Sequence, residues 1–305
     1  MTSQAPPALF DRALLRQRRA RSAGSVSDYN FLAQRAFEDM GDRVVGITRD
    51  FDHGALLGGG PGLMAAPAGA LIREKVGWLC RADLAPSIAA QLTGPALALD
   101  EEALPFASES LDIVLAPWGL HWTNDLPGAL VQINHALKPD GFFACALPGG
   151  STLTELRQCL MAAESELTGG VAARVSPLAG TFDLAALLQR AGFAMPVADV
   201  DRVTVRYDHI FALMADLRGM GETSILADRP RTPASRTLFA RAGQIYAERF
   251  ADPDGRIRAT FEIIHAAGWA PHPDQPKPKR PGSATHRLAD ALGVQEKSLG
   301  EKAGG

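Results

Sequence analysis

Five short apolar runs, each separated from the next by a helix-forming or turn-rich stretch, restrict this chain to few architectures. They are "GALLG" (54–58), "GWLCRAD" (77–83), "PALALD" (95–100), "LDIVLAP" (111–117) and "GFFACAL" (141–147). Each is too short for a core helix and apolar at nearly every position, so each reads as a strand buried on both faces. The spacing predicts strands at 54–58, 77–83, 95–99, 111–116 and 141–147, with helical segments near 62–75, 85–92 and 124–138. In the last segment Asn124 is the expected cap, Leu126, Leu130, Ile133 and Leu137 recur at helical spacing, and "KPDG" ends the helix. Strands alternating with helices in this way give an α/β fold with a parallel sheet covered on both faces.

A second block follows. Helices are expected at 151–167 and 181–193, a strand at 197–207, helical stretches near 208–219 and 233–251, and a last strand within 256–269. Before the sheet, residues 26–40 place Tyr29, Leu32, Ala33, Ala36, Phe37 and Met40 on one helical stripe, with Ser27 or Asp28 as the cap. The first residues, "LFDRALLRQRRARSAG", carry Arg12, Arg16, Arg18, Arg19 and Arg21 against the single acid Asp11. They read as a basic surface arm, and a mitochondrial presequence has the same composition. The expected organisation is therefore an arm and helix (1–43), one domain (44–269) with a helical insertion (208–251), and a Pro-rich tail (270–305).

With 46% hydrophobic and 21% charged residues over 305 positions, the composition suits a soluble globular protein. A net charge of -3 creates no field favouring nucleic acid. No apolar run reaches the roughly 18–20 residues of a membrane span. Cys80, Cys145 and Cys159 form no CxxC pair and read as small reduced apolar residues.

"HGALLGGGPG" runs a strand into Gly58, Gly60 and Gly62, a GxGxG loop. Such a loop lets a ligand approach the backbone at a helix N-terminus. The same residues fit a tight turn, and Gly60, Gly62 and Ala65 fit a GxGxxA dinucleotide fingerprint. Asp83, 21 residues beyond Gly62 at the end of the second strand, is placed to accept from both ribose hydroxyls, or to cap the next helix. NAD and S-adenosylmethionine (SAM) share that ribose. Asp100 and Glu101, just past the third strand, favour SAM: a carboxylate there accepts from the adenine amino group, and Leu104-Pro105-Phe106 walls the ring. A solvated acidic turn is the alternative.

The stretches "LPFASESLDIVLAPWGLHWTNDLPGAL", "LKPDGFF", "LPGGSTLTELR", "DLRGMGE", "ATFEIIHAAGW" and "GSAT" resemble the mitochondrial complex I assembly factor 5 family and its bacterial relatives, within the class I SAM-dependent methyltransferases. The resemblance runs from "FDR" at 10–12 to "GSAT" at 282–285. The malonyl-carrier-protein methyltransferase of biotin synthesis is a more distant likeness. The resemblance implies a Rossmann-like seven-stranded sheet whose last strand, at 257–267, is antiparallel. It implies SAM as cofactor, with Gly58, Gly60, Gly62, Asp83, Asp100 and Glu101 as contacts. It implies a protein substrate, with an arginine of a complex I subunit as the target, in the cytoplasm of a bacterium or the mitochondrial matrix of a eukaryote. The family pattern has an acid where this chain has Leu56 and a Cys where it has Gly59. The lost acid would have faced the SAM ammonium group, so weakened cofactor binding is expected. A non-catalytic assembly factor, or a small-molecule O-methyltransferase like that of biotin synthesis, is the alternative, and an NAD-dependent dehydrogenase a more remote one.

Methyl transfer from a sulfonium depends on alignment and desolvation more than on acid–base groups. His121 and Trp122, past the fourth strand, are the candidates for catalysis or substrate contact, or they pack the loop onto the next helix. Glu155 and Glu222 are candidate partners for a bound arginine side chain, with Arg157 beside Glu155. The His272-Pro273-Asp274 pair lacks an obvious third ligand, so no metal site is expected. The helical insertion is the expected substrate cover.

Overall fold

A computed structural model describes residues 8–276, 283 and 288–294. The first seven residues, most of the tail after Gln275 and all but one residue of "GSAT" lie outside the described residues. The chain divides into two compact units, Met1–Pro271 and His272–Gly305. In the second, the Asp274 N–H donates to His272 Nδ1 at 3.2 Å, and Leu288–Leu292 is helical.

The first unit is built on a seven-stranded sheet ordered β3-β2-β1-β4-β5-β7-β6. The strands are β1 (Phe51–Gly58), β2 (Val76–Asp83), β3 (Ala96–Ala98), β4 (Leu111–Trp118), β5 (Leu137–Pro148), β6 (Ala194–Tyr207) and β7 (Ile257–Trp269). The first five pair in parallel, and β7 runs antiparallel to both of its neighbours, as the resemblance implies. Helices follow the expected order: α2 (Phe31–Val45), α3 (Pro67–Lys75), α4 (Pro86–Ala89), α5 (Leu126–Ala136), α6 (Thr154–Thr168), α7 (Thr181–Arg190), α8 (Ile210–Gly219) and α9 (Arg236–Phe250).

Strand alternation explains why the runs are apolar throughout. Leu56, Ile113, Leu115, Phe142 and Ala144 join the core with α2, α6 and α9. Their neighbours Ala55, Leu57, Val114, Phe143 and Cys145 face the other way, into the core with α5 and α7. Successive side chains of a strand point to opposite faces, so a two-sided core requires an unbroken apolar run.

Some local expectations shift. "KPDG" belongs to the opening of β5, because Leu137 already pairs with Leu111; Asp140, at φ +63°, carries the bend there. The cap of α2 is Asn30, after one 3₁₀ turn at Val26–Asp28, and not Ser27 or Asp28. The Asn30 side-chain amide instead donates to the Pro61 carbonyl at 3.1 Å, tying α2 to the glycine loop. Asp125, and not Asn124, caps α5 by accepting from the Gly128 N–H at 2.9 Å. Asn124 bridges both backbone groups of Phe10, at 2.8 and 3.2 Å.

The largest difference is at the start of the chain. The basic segment is not a solvated arm but a helix, α1 (Arg12–Ser22), capped by Asp11. Leu15, Arg19 and Ser22 are buried along one face. Phe10 pairs with Leu226 between α8 and α9, and both pack with Leu15, Trp122 and Ile225.

Candidate cofactor and substrate site

The glycine loop leaves β1 with Gly58, Gly59, Gly60 and Gly62 all at positive φ, a region that costs other residues strain. At Gly58 a Cβ would also stand 3.1 Å from Gly119 Cα and the Trp118 carbonyl, so β1 and β4 close on each other there. At Gly60 and Gly62 a Cβ would meet Val26 at 3.8 Å and Ser27 at 3.7 Å, ordinary contact distances, so the positive φ and not crowding is what calls for glycine there.

Of the three carboxylates singled out by sequence, Asp83 shares a small cavity with Gly59 and Gly60, and α1 links it to Glu101 and Asp100. Asp83, at the end of β2, is 2% exposed and accepts from the Ala85 N–H at 2.8 Å, which also orders the entry to α4. Arg19 Nη1 lies 3.5 Å from Asp83 Oδ2 and 3.7 Å from Glu101 Oε1, and neither Arg19 Nη1 nor Glu101 Oε1 has a hydrogen-bond partner. Arg12 pairs with Asp100 at 2.6 Å and with Glu101, and donates to the Trp122 carbonyl. Burial pushes the Asp83 carboxyl above the usual range, with Arg19 and the Ala85 N–H pulling partly against it. Leu104 and Phe106 are half-buried against the α5-side core, and the Leu104 N–H donates to Gln132.

A cavity of about 30 Å³ remains between loop, Arg19, Asp83 and Glu222, room for about one water. The donor and acceptor set suits a ribose and an adenine amino group. The volume does not admit a nucleoside while α1 lies in this position.

A second cavity, of about 480 Å³, adjoins the carboxyl ends of β4 and β5 under α8, α9 and the 220–234 connection. His121 and Trp122 line it, and both reach Glu222: His121 Nε2 lies 2.9 Å from Glu222 Oε2, and the Trp122 indole N–H donates to the same oxygen at 2.6 Å. Burial pushes the Glu222 carboxyl up, but His121, Arg19 and the Trp122 N–H outweigh it and leave it below the usual range. Glu222 is thus already engaged, as is Glu155, which accepts from Thr260. Arg157 donates to the Ser176 carbonyl. Among the described residues no three His, Cys, Asp or Glu side chains converge as metal ligands would.

Sequence reading missed Arg12 and Arg19 as part of this site. The signal was present: Arg12, Leu15, Arg19 and Ser22 recur every three or four residues behind Asp11, the pattern of one helix face after a cap.

A methyltransferase-domain model matches residues 57–145, from the glycine loop through β5. The YcgJ protein of Bacillus subtilis superposes with a TM-score of 0.51 at 14% identity, covering 78% of this chain and 99% of that one, a likeness of fold. Malonyl-[acyl-carrier protein] O-methyltransferase of Xylella fastidiosa is 34% identical over 56% of this chain and 56% of its own length. The protein named arginine-hydroxylase NDUFAF5, mitochondrial, of Danio rerio is 38% identical over 92% of this chain and 89% of its own length. The chain therefore belongs to the NDUFAF5 family, enzymes on the fold of the SAM-dependent methyltransferases.

Proposed function

We propose that this chain binds SAM at the glycine loop and modifies a protein substrate in the assembly of respiratory complex I. The observation that carries the cofactor reading is the placement of Asp83 with Gly59 and Gly60 around one cavity, with Arg19 linking Asp83 to Glu101 and Arg12 linking Glu101 to Asp100. Asp83 would hold the ribose hydroxyls, Asp100 and Glu101 the adenine amino group, and the glycines the backbone approach. Bound SAM supplies an electrophilic methyl group. The chain's own part is to orient the acceptor and exclude water, with His121 and Trp122 holding the 220–234 connection in place through Glu222. For SAM to enter, α1 withdraws Arg19 and Arg12 from the acids. The NDUFAF5 relatives support the complex I role. The test is equilibrium dialysis with labelled SAM, followed by mass spectrometry of a co-expressed complex I subunit pair. A gain of one methyl group or one oxygen atom supports the reading; no SAM binding and no mass change removes it.

Two further outcomes are expected. Without ligand, amide exchange in 208–251 should be faster than in β5 at 141–147, and SAM should slow it; identical protection with and without SAM counts against a closing insertion. Leu56→Asp supplies the acid that family members carry, and a small gain in SAM affinity is expected. Leu56 is 2% exposed in the α2-side core. Its replacement should therefore cost about 3 kcal/mol or more of stability, from lost apolar burial and a desolvated carboxylate together. A urea midpoint equal to that of the parent would contradict this.

A further inference from the structure

We infer that the 480 Å³ cavity is a binding site for an aliphatic carboxylate, an apolar chain with one anionic head. Its size lies in the range of small-molecule pockets. Leu32, Trp118, Leu156, Leu160 and Phe261 line it and are buried, so a hydrocarbon gains by displacing water there.

The charge of the lining is one-sided. Arg18, Arg174, Arg218, Arg229 and Arg231 face the cavity, against the single carboxylate of Glu222, which already serves His121 and Trp122. Arg174 pairs with Glu164 and Arg229 with Asp11. Among the described residues, Arg18, Arg218 and Arg231 have no carboxylate within salt-bridge distance. Arg218 and Arg231 are exposed, which puts the unpaired charge where a head group is still near water. Burial, together with Arg229 and Arg21, pushes the Arg18 guanidinium down, and Asp11 offsets this only in part. On a chain of net charge -3 this concentration is local and not compositional.

A second, independent observation agrees. Arg174, Ser176, Ser224 and His121 line the same cavity, and their Nε, Oγ, Oγ and Nδ1 atoms are buried in its wall without a hydrogen-bond partner. Ser176 is 6% exposed and the His121 side chain 3%. The guanidinium nitrogen only donates, and both hydroxyls can. Buried donors left unpaired are costly, so the matching ligand brings acceptor oxygens. A substrate guanidinium would meet five others here, and a plain alcohol would leave them unpaired. A carboxylate satisfies both the charge and the donors.

This goes beyond the cofactor reading. The cavity is complete without SAM, so binding is measured with none present, and either result stands apart from that of SAM dialysis. Trp118 and Trp122 line the cavity and report occupancy by fluorescence. Decanoate titrated into the full chain should give a saturable change, with decylamine and decanol at least tenfold weaker. Arg218→Ala and Arg231→Ala remove exposed guanidinium groups outside any ion pair, at the cost for Arg231 of its bond to the Ala227 carbonyl. Each should weaken decanoate several-fold, and the double variant by about tenfold or more. Decylamine or decanol binding as tightly as decanoate would overturn the proposal. So would unchanged affinity in the folded double variant, no saturable decanoate signal, or tighter binding of decyl phosphate than of decanoate.

Discussion

Arg19→Met should lower the unfolding free energy at neutral pH by about 3–5 kcal/mol, the usual penalty for stranding one side of a buried charge pair. Methionine keeps the length of the side chain, so the loss reports charge more than packing. Asp83 and Glu101 would be left 2% and 1% exposed with the guanidinium between them gone. The pH dependence has a defined sign. Burial already raises the Asp83 carboxyl, and removing Arg19 raises it further. A carboxylate whose folded pKa exceeds its unfolded value favours the fold at low pH, and that contribution is lost as pH rises through the folded value. The deficit of Arg19→Met is therefore largest at neutral pH and shrinks as pH falls through the raised Asp83 value. Urea melts at neutral and mildly acidic pH measure it. A deficit independent of pH would place the loss in packing.

Asp83→Ala should raise the dissociation constant for SAM about tenfold to a hundredfold, the equivalent of roughly 1.5–3 kcal/mol for a lost charged acceptor. The comparison is made at equal folded fraction, checked by urea midpoint, because Arg19 loses its nearest partner in this variant. The side chain is held by the Ala85 N–H and aimed at the cavity beside Gly59 and Gly60, so its loss falls directly on a ribose placed there. Unchanged SAM affinity would reduce the glycine stretch to a tight turn between β1 and α3 and remove the cofactor assignment with it.

The sheet was legible because strands buried on two faces write themselves as unbroken apolar runs, as β1, β4 and β5 do; β3, read as buried, is exposed along all three residues at the sheet edge. The short β3 and α4 were the least exact, since three exposed residues and one helical turn leave little periodicity. The glycine loop and its acids were legible as local motifs. Their state was not, because it depends on α1, which lies 88 and 89 positions from Asp100 and Glu101 at Arg12 and was read as an arm from its arginine content. Charge suggested solvent; the helical spacing of Arg12, Leu15 and Arg19 pointed inward, and it is the spacing that the fold follows. The engagement of Glu222 by His121 and Trp122 is likewise a contact across 100 residues that no window along the chain contains.

The strap between the start of the chain and the α8–α9 connection sets an order of events for folding. Arg18 donates to the Ser224 carbonyl across 206 positions, Arg229 meets Asp11 across 218, and Phe10 pairs with Leu226. Contacts this distant close late, after the loop between them has been gathered by other structure. The segment made first is thus seated last. Until residues beyond 226 have been synthesised, α1 lacks the partners that Ser224, Leu226 and Arg229 give it, and the completion of its seat waits on the far end of the same molecule.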